Sequence, residues 1–308
     1  MHATNVVPFV AILIAQTSAH GVVTMVRGAN GVDMPGLSST RRRHPRDCST
    51  NRCGSQADTA IIRDREIRRG EVGPLGRTQG NGPIDPATMI TNFMGGASAP
   101  RNNGANSSVG VEDNIAGQLN KRSPGQREGR GVAKIARQLF GGLFGGSRGG
   151  GNRGTESPAA TEAMVAATAG MGATAGMPTC GDDGSIEMVF HQVNQDGAGP
   201  IEAAVDGTSG GTDPDAFQQA EVTQDVPGFG FQGLSLATSR DFPLTVQMPA
   251  GMTCDATVAG VENVCIVRVR NGAAAGPFGG SAAFTQSAAA RKRAIEYRRR
   301  KRAEVFRA

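Results

Sequence analysis

Short stretches of β-branched and aromatic residues, separated by glycine- and proline-rich turns, constrain the fold of this chain more than any other feature. The clearest stretches cover residues 186–193, 243–248 and 264–269, and residues 21–26 have the same character. Each stretch has the composition of a β-strand, and the spacers between them are rich in turn residues. Several short strands of this kind predict a mostly β protein, built as an antiparallel β-sandwich.

A long region of low complexity interrupts this pattern. Residues 95–182 hold glycine-rich runs and then a tract of alanine, threonine, glycine and methionine. Such a composition buries too little apolar surface to offset the entropy lost on ordering. We therefore expect a disordered insertion between two parts of one domain, residues 20–94 and residues 183–287. The insertion contains one acceptor pattern for N-glycosylation, at Asn106.

The first nineteen residues have the features of an export signal. Residues 6–15 are mostly apolar and too few to span a bilayer, and the small residues Thr17 and Ala19 occupy the positions that a signal peptidase reads. No later stretch reaches the length of a membrane helix. The sequence therefore predicts a signal peptide over residues 1–19 and a protein that is secreted or held at the cell surface without spanning the membrane. Mature protein would begin at His20.

The positive charge of the chain is concentrated at its C-terminal end. Residues 291–307 carry nine Arg and Lys against two Glu, a net charge of +7, whereas the whole chain carries +5. The remainder is therefore close to −2, and this balance gives no reason to expect specific nucleic-acid binding. Residues 288–308 form a basic tail, either helix or coil. Such a tail can contact polyanions or simply be solvated, and the sequence leaves both open.

The five cysteines suit an oxidising compartment, although their number is odd. Cys254 and Cys265 bracket a short turn-and-strand segment and are predicted to pair. Cys48 and Cys53 can pair with each other, or one of them can reach Cys180. One thiol is left over in either arrangement.

No hydrolase, metalloprotease or phosphate-binding motif is present, so we assign no catalytic residue. The candidate chemistry is a copper site. His20, once it is the terminal residue, offers an α-amine and an imidazole, and His191 would supply a second imidazole. Asp196 is a rival for that position, and Phe278 is a candidate for the axial side of the metal. The competing interpretation is that His191 and Phe278 only fill space in the sandwich.

A series of short motifs also occurs along the chain in a fixed order. They are AHGVV at 19–23, GANG at 28–31, MPGL at 34–37, PRDC at 45–48, HQVNQDGAGP at 191–200, FPL at 242–244, MPAG at 248–251, NVCIVR at 263–268 and GPFGG at 276–280. This combination resembles the secreted Egh-type virulence factors of filamentous fungi, which include appressorium-specific surface proteins. The resemblance implies a protein exported during infection, in contact with host or fungal cell-wall polysaccharide and without an established catalytic activity.

The His-Gly start of the predicted mature chain is similar to that of lytic polysaccharide monooxygenases. That similarity implies an alternative function, a copper-dependent oxidase acting on a polysaccharide. It would assign copper to His20 by position, together with His191 or Asp196.

Overall fold

The structure is a computed structural model that describes residues 20–40, 57–96, 154–156, 164–195, 197–230, 233–273 and 276–305. Its strands are β1 (Gly21–Arg27), β2 (Asp33–Pro35), β3 (Ala60–Ile61), β4 (Arg77–Thr78), β5 (Gly82–Pro83), β6 (Thr155–Glu156), β7 (Ser185–Gln192), β8 (Ile201–Asp206), β9 (Phe217–Gln224), β10 (Arg240–Gln247), β11 (Ala256–Val258), β12 (Val261–Asn271) and β13 (Phe278–Thr285). Its helices are α1 (Asp64–Arg68), α2 (Pro86–Phe93), α3 (Met164–Ala167), α4 (Gly172–Ala175) and α5 (Ala288–Val305).

The strands pair antiparallel throughout the main sheet, as the sequence predicts. Their order is β2-β1-β7-β10-β9-β8-β12-β13-β3-β4-β5, with β11 added to β12 and β6 to β10. The four stretches expected to be strands are β1, β7, β10 and β12. The mostly β, antiparallel prediction is therefore confirmed. Strands from the N-terminal part lie at both ends of this order, and strands from the C-terminal part lie between them.

The sheet folds over on itself so that β1 packs against β13, although the two strands are not paired. Small residues make this close approach possible. A Cβ atom added at Gly280 would lie 2.7 Å from the backbone nitrogen of Val23, a distance at which two heavy atoms clash. A backbone hydrogen bond from Leu37 N to Ser281 O, 2.9 Å long, ties the two layers together.

The main core lies between the layers and follows the alternation of the strands. On β7 the side chains of Ile186, Met188 and Phe190 are buried, whereas Glu187 between them is exposed. The matching inward positions of β10 are Phe242, Leu244 and Val246. A period of two with one buried face is what a sandwich layer requires.

The predicted insertion is shorter than expected at its C-terminal end. Residues 97–153 and 157–163, including Asn106, lie outside the described part. Residues 164–182, however, are ordered, and Val165, Met177 and Cys180 are buried in the main core. Tight packing of small residues explains the difference: a Cβ at Gly172 would lie 2.6 Å from Phe93 Cδ1. Three well-placed apolar side chains are enough to fix a segment whose average composition predicts disorder.

The disulfide predicted between Cys254 and Cys265 is present. Cys180 is a buried free thiol, so the alternative that joined it to Cys48 or Cys53 does not hold. Burial raises the pKa of the Cys180 thiol, which keeps it in the unreactive protonated form. Cys48 and Cys53 lie outside the described residues.

The basic tail forms a helix that is docked on the domain. On α5, Ala290 and Ala294 are buried one turn apart. Arg291 donates a 2.8 Å hydrogen bond to the carbonyl of Cys254 and pairs with Asp255 at 2.9 Å. Arg298 donates to Thr253 Oγ1 at 2.9 Å. Across the described ranges, no helix combines the length and apolar character needed to cross a membrane.

Candidate functional site

Three neighbouring strands bring His20, His191 and Asp241 together at one end of the sheet, where β1 and β10 begin and β7 ends. The strand β7 lies between β1 and β10, with Val22 opposite His191 on one side and Asp241 opposite His191 on the other. The β1 register continues to His20, whose carbonyl accepts a 2.9 Å hydrogen bond from Val193 N. Residues two apart on a strand share a face, so His20 and His191 are diagonal neighbours on one side of the sheet.

His191 is fully buried and is oriented by Asp241. Its Nδ1 lies 2.6 Å from Asp241 Oδ1. An ionised carboxylate only accepts hydrogen bonds, so Nδ1 carries the proton and donates it to Asp241. In a neutral ring this leaves the lone pair on Nε2. His191 could be predicted from sequence, whereas Asp241 could not, because the register of β10 against β7 is not encoded in any local motif.

His20 is also fully buried, and its ring packs against Phe278. The two ring centroids lie 4.7 Å apart with an interplanar angle of 31°. Phe278 has no exposed surface, and its backbone nitrogen donates a 3.1 Å hydrogen bond to Asn271 Oδ1. The structure therefore brings together three of the four candidate residues, His20, His191 and Phe278. Asp196, the fourth, lies outside the described residues.

The turn that follows β7 runs directly against His20. A Cβ at Gly197 would lie 2.1 Å from the carbonyl oxygen of His20. A Cβ at Gly21 would lie 2.5 Å from the ring of Phe190 and 2.8 Å from the carbonyl oxygen of Gly197. Both positions need glycine because backbone or a packed ring occupies the space of a side chain. The start of β1 is therefore held firmly in place.

A second set of hydrogen bonds holds the neighbouring loop. Gln192 Nε2 lies 2.6 Å from Ser235 Oγ and 2.8 Å from the carbonyl oxygen of Ala237. Ser235 Oγ in turn accepts a 3.1 Å hydrogen bond from Ala237 N. Gln192 is fully buried, and its amide joins the end of β7 to the loop that leads into β10. The histidine pair thus lies in a part of the sheet that is fixed on several sides.

Comparison with known proteins places the chain in a family. Residues 18–279 match the family described as "Egh16-like virulence factor". The chain belongs to this family. The match covers most of the sequence and includes every residue of the candidate site. No solved structure matches the chain.

Two relatives of this Egh16-like protein come from Pyricularia oryzae. Over 303 residues it is 51% identical to "Appressoria-specific virulence factor GAS2" of Pyricularia oryzae, an alignment that covers 98% of this chain and 95% of that protein. It is 39% identical over 137 residues to "Appressoria-specific virulence factor GAS1" of the same species, covering 44% of this chain and 50% of the relative. The resemblance inferred from the motifs is therefore confirmed.

The chemistry open to this Egh16-like protein at the histidine pair depends on a third donor. Among the described side chains, no group of three or more His, Cys, Asp and Glu could hold a metal ion. The pair formed by His20 and His191 supplies two imidazoles. An α-amine at His20 would complete a set of three nitrogens without any further side chain, and three nitrogens suit Cu(II).

Proposed function

We propose that this protein is an infection-associated virulence factor that is secreted and acts at the fungal surface, where it contacts wall polysaccharide. The observation that carries the proposal is the 51% identity to the appressoria-specific virulence factor GAS2 over 98% of the chain. Identity at this level along nearly the whole length supports a shared fold and a related role. The predicted export signal over residues 1–19 and the Cys254–Cys265 disulfide support an extracellular setting.

A gene deletion tests this function. The expected result is a strain that grows normally in culture but penetrates host tissue less often. Complementation with the full gene should restore penetration. Complementation with a version that lacks codons 2–19 should not, because that product would stay inside the cell. Normal penetration by the deletion strain, or rescue by the leaderless version, would contradict the proposal.

A second candidate function is copper binding at the mature N-terminus, in support of an oxidase acting on polysaccharide. The observation that favours it is the position of His20 and His191 on one face, with His191 Nδ1 held by Asp241 at 2.6 Å. A carboxylate on the second ring nitrogen is a common support for metal-binding histidines, since it fixes the tautomer and the ring orientation. His20 would bind through its amine and ring, His191 would bind through Nε2, and Phe278 would exclude water beside His20.

Bound copper would supply one-electron chemistry toward oxygen, as imidazole-bound copper does in oxidases. The residues of this chain have simpler tasks. Asp241 keeps the proton on His191 Nδ1, and Gly197 and Gly21 keep the terminus of β1 in register with β7.

The copper proposal is tested by titrating secreted protein that begins at His20 with Cu(II) and recording electron paramagnetic resonance spectra. The expected result is one tightly bound ion with nitrogen coupling. The matched control carries one extra alanine before His20, which keeps the imidazole but removes the terminal amine from residue 20. Equal binding by the control, unchanged binding by His191→Gln, or a secreted protein that starts elsewhere would exclude this function.

A further inference from the structure

A groove lies between α5 and the turn that precedes the disulfide, and the function of the protein does not account for it. Its volume is about 340 Å³, within the range of small-molecule sites. Its walls combine an apolar surface with two arginines. The side chains that matter below are Met248, Met252, Ala294, Tyr297, Arg293 and Arg300.

The walls of this groove are fixed by contacts from both sides. Gln286 Nε2 donates a 2.9 Å hydrogen bond to the carbonyl of Met252, and Gln286 Oε1 accepts one of 3.0 Å from Cys254 N. Tyr297 packs on the turn, since a Cβ at Gly251 would lie 2.9 Å from its Cδ1 atom. The groove is therefore preformed and does not depend on an occupant to hold it open.

Six of the eight basic residues of α5 fall into three pairs, each seven residues apart, and Lys301 and Arg302 follow them. Arg291 and Arg298 dock the helix through Cys254, Asp255 and Thr253, as described above. A second pair, Arg293 and Arg300, lines the groove. A third pair, Lys292 and Arg299, is exposed and lines neither the groove nor the docking contact. Seven residues span two turns, so the members of each pair share one side of the helix, about 10 Å apart.

The arginines in the groove have no direct hydrogen-bonding partner among the described residues, although hydrogen bonds from Ser185, together with the charge of Arg293, hold the pKa of Asp183 below its usual value. Within the part of the chain that the structure describes, neither Arg293 nor Arg300 has an ion pair or a hydrogen bond. The one carboxylate in the lining, Asp183, accepts hydrogen bonds from Ser185 N and Oγ at 2.9 and 2.6 Å. The lining is thus net positive, with its two cations placed for an extended ligand that carries more than one anionic group.

We propose that this groove binds a segment of an acidic polysaccharide, with uronic-acid carboxylates on Arg293 and Arg300 and a sugar face on Tyr297. The proposal deepens the wall contact of the proposed function and rests on it. Arginine binds carboxylates in a forked geometry. Tyr297 is 37% exposed and gives the sugar an apolar contact beside Lys301, whose Nζ lies 6.0 Å from the ring centroid. A lipid surface fits less well, because α5 lacks the broad stripe of large apolar side chains that inserts into a bilayer.

The experiment measures binding of labelled oligogalacturonides to the secreted full-length protein at low salt. Neutral chito-oligosaccharides of the same length serve as the comparison ligand. The double variant Arg293→Gln, Arg300→Gln should bind oligogalacturonides at least about tenfold more weakly, because it loses two charge-assisted hydrogen-bonding groups. The matched control Lys292→Gln, Arg299→Gln removes the same charge from the same helix and should stay within about twofold of the natural protein. Equal unfolding temperatures for the two variants would show that neither effect comes from misfolding.

Three results would overturn the proposal. Equal losses in the two double variants would mean that the helix binds by net charge alone. Stronger binding to vesicles that contain anionic lipid, or to a single-stranded DNA of equal charge, would assign the groove to a different class of partner. Absence of binding to oligogalacturonides would exclude the groove as a binding site for acidic polysaccharide. The proposed function would not be affected by that result, because the penetration defect of the deletion strain tests it independently.

Discussion

The imidazole of His191 lies 2.6 Å from the carboxylate of Asp241, and fifty residues of sequence separate the two. The pair exists because β7 and β10 are neighbours in the sheet and are aligned residue for residue. His191 is fully buried, whereas Asp241 keeps part of its side chain exposed, so the contact joins a buried imidazole to a carboxylate that is partly open to solvent.

Replacing Asp241 by Asn should destabilise the protein by about 1–3 kcal/mol, because a buried imidazole N–H loses its charged acceptor. The measurement is denaturant unfolding at neutral pH. Glu187→Gln is the control, since it removes a carboxylate from an exposed position on the same face of β7. We expect the control to change stability by less than about 0.5 kcal/mol. Equal stability of Asp241→Asn and the natural protein would show that the contact contributes nothing.

Replacing Gly197 by Ala should disrupt the start of β1. The new Cβ would lie 2.1 Å from the carbonyl oxygen of His20, so one of the two backbone segments must shift. We expect a loss of at least about 2 kcal/mol in the free energy of unfolding, of the size caused by overpacking a tight site. Gly73→Ala is the matched control, because a Cβ there meets nothing within 4 Å. If both variants unfold at the same denaturant concentration, the packing of the turn on His20 is wrong.

Replacing Asp206 by Asn should destabilise the loop after β8. One carboxylate oxygen accepts hydrogen bonds from Thr208 N and Ser209 N at 2.8 and 2.9 Å, and the other accepts one from Gly211 N at 2.6 Å. An amide offers a single acceptor oxygen, so the variant leaves some of these donors without their partner. We expect a cost of about 1–3 kcal/mol at pH 7.

The carboxylate of Asp206 also makes the stability of the protein depend on pH, and the direction of that dependence follows from its pKa. Burial raises the pKa of Asp206, but the hydrogen bonds from Ser209, Thr208 and Gly211 outweigh burial and leave the pKa below its usual value. A carboxyl group whose pKa is lower in the folded state stabilises the fold at pH values above its unfolded-state pKa of about 3.9. That stabilisation is lost as the pH falls through the pKa of the folded state. The stability difference between the natural protein and Asp206→Asn should therefore be largest near neutral pH and shrink below about pH 4. A difference that grows on acidification would contradict this assignment.

Removing the disulfide with the double change Cys254→Ala, Cys265→Ala should cost about 3 kcal/mol, the value expected for a loop of this length. Thermal unfolding with and without reducing agent checks the prediction. The reducing agent should lower the unfolding temperature of the natural protein by more than it lowers that of the double variant. Cys180→Ala serves as the control, since its thiol takes part in no crosslink, and it should keep the response to reducing agent.

The positions of the strands along the chain could be predicted from sequence, whereas the order in which they pair in the sheet could not. The alternation in β7 and β10 follows from local residue preferences, so both strands could be placed from sequence. The contact of His191 with Asp241 depends on strand order and register, which no local pattern specifies. Residues 164–182 were predicted to be disordered because average composition hides the effect of single side chains, here the burial of Val165, Met177 and Cys180 in the main core. The groove on α5 was missed for a similar reason, since a charge count cannot separate Arg293 from Lys292.

The order of strands in the sheet has a consequence for how the protein is made. The N-terminal strands β1 and β3 pair with β7 and β13, and β13 ends at Thr285. The pairing of β3 with β13 cannot form until nearly the whole chain has left the ribosome, and the pairing of β1 with β7 cannot form until residue 192 has left it. Contacts between residues so far apart in sequence also slow folding. We therefore expect the sheet to be completed late in synthesis, and a chain without its completed sheet is in the kind of unfolded state that can pass through a protein-export channel.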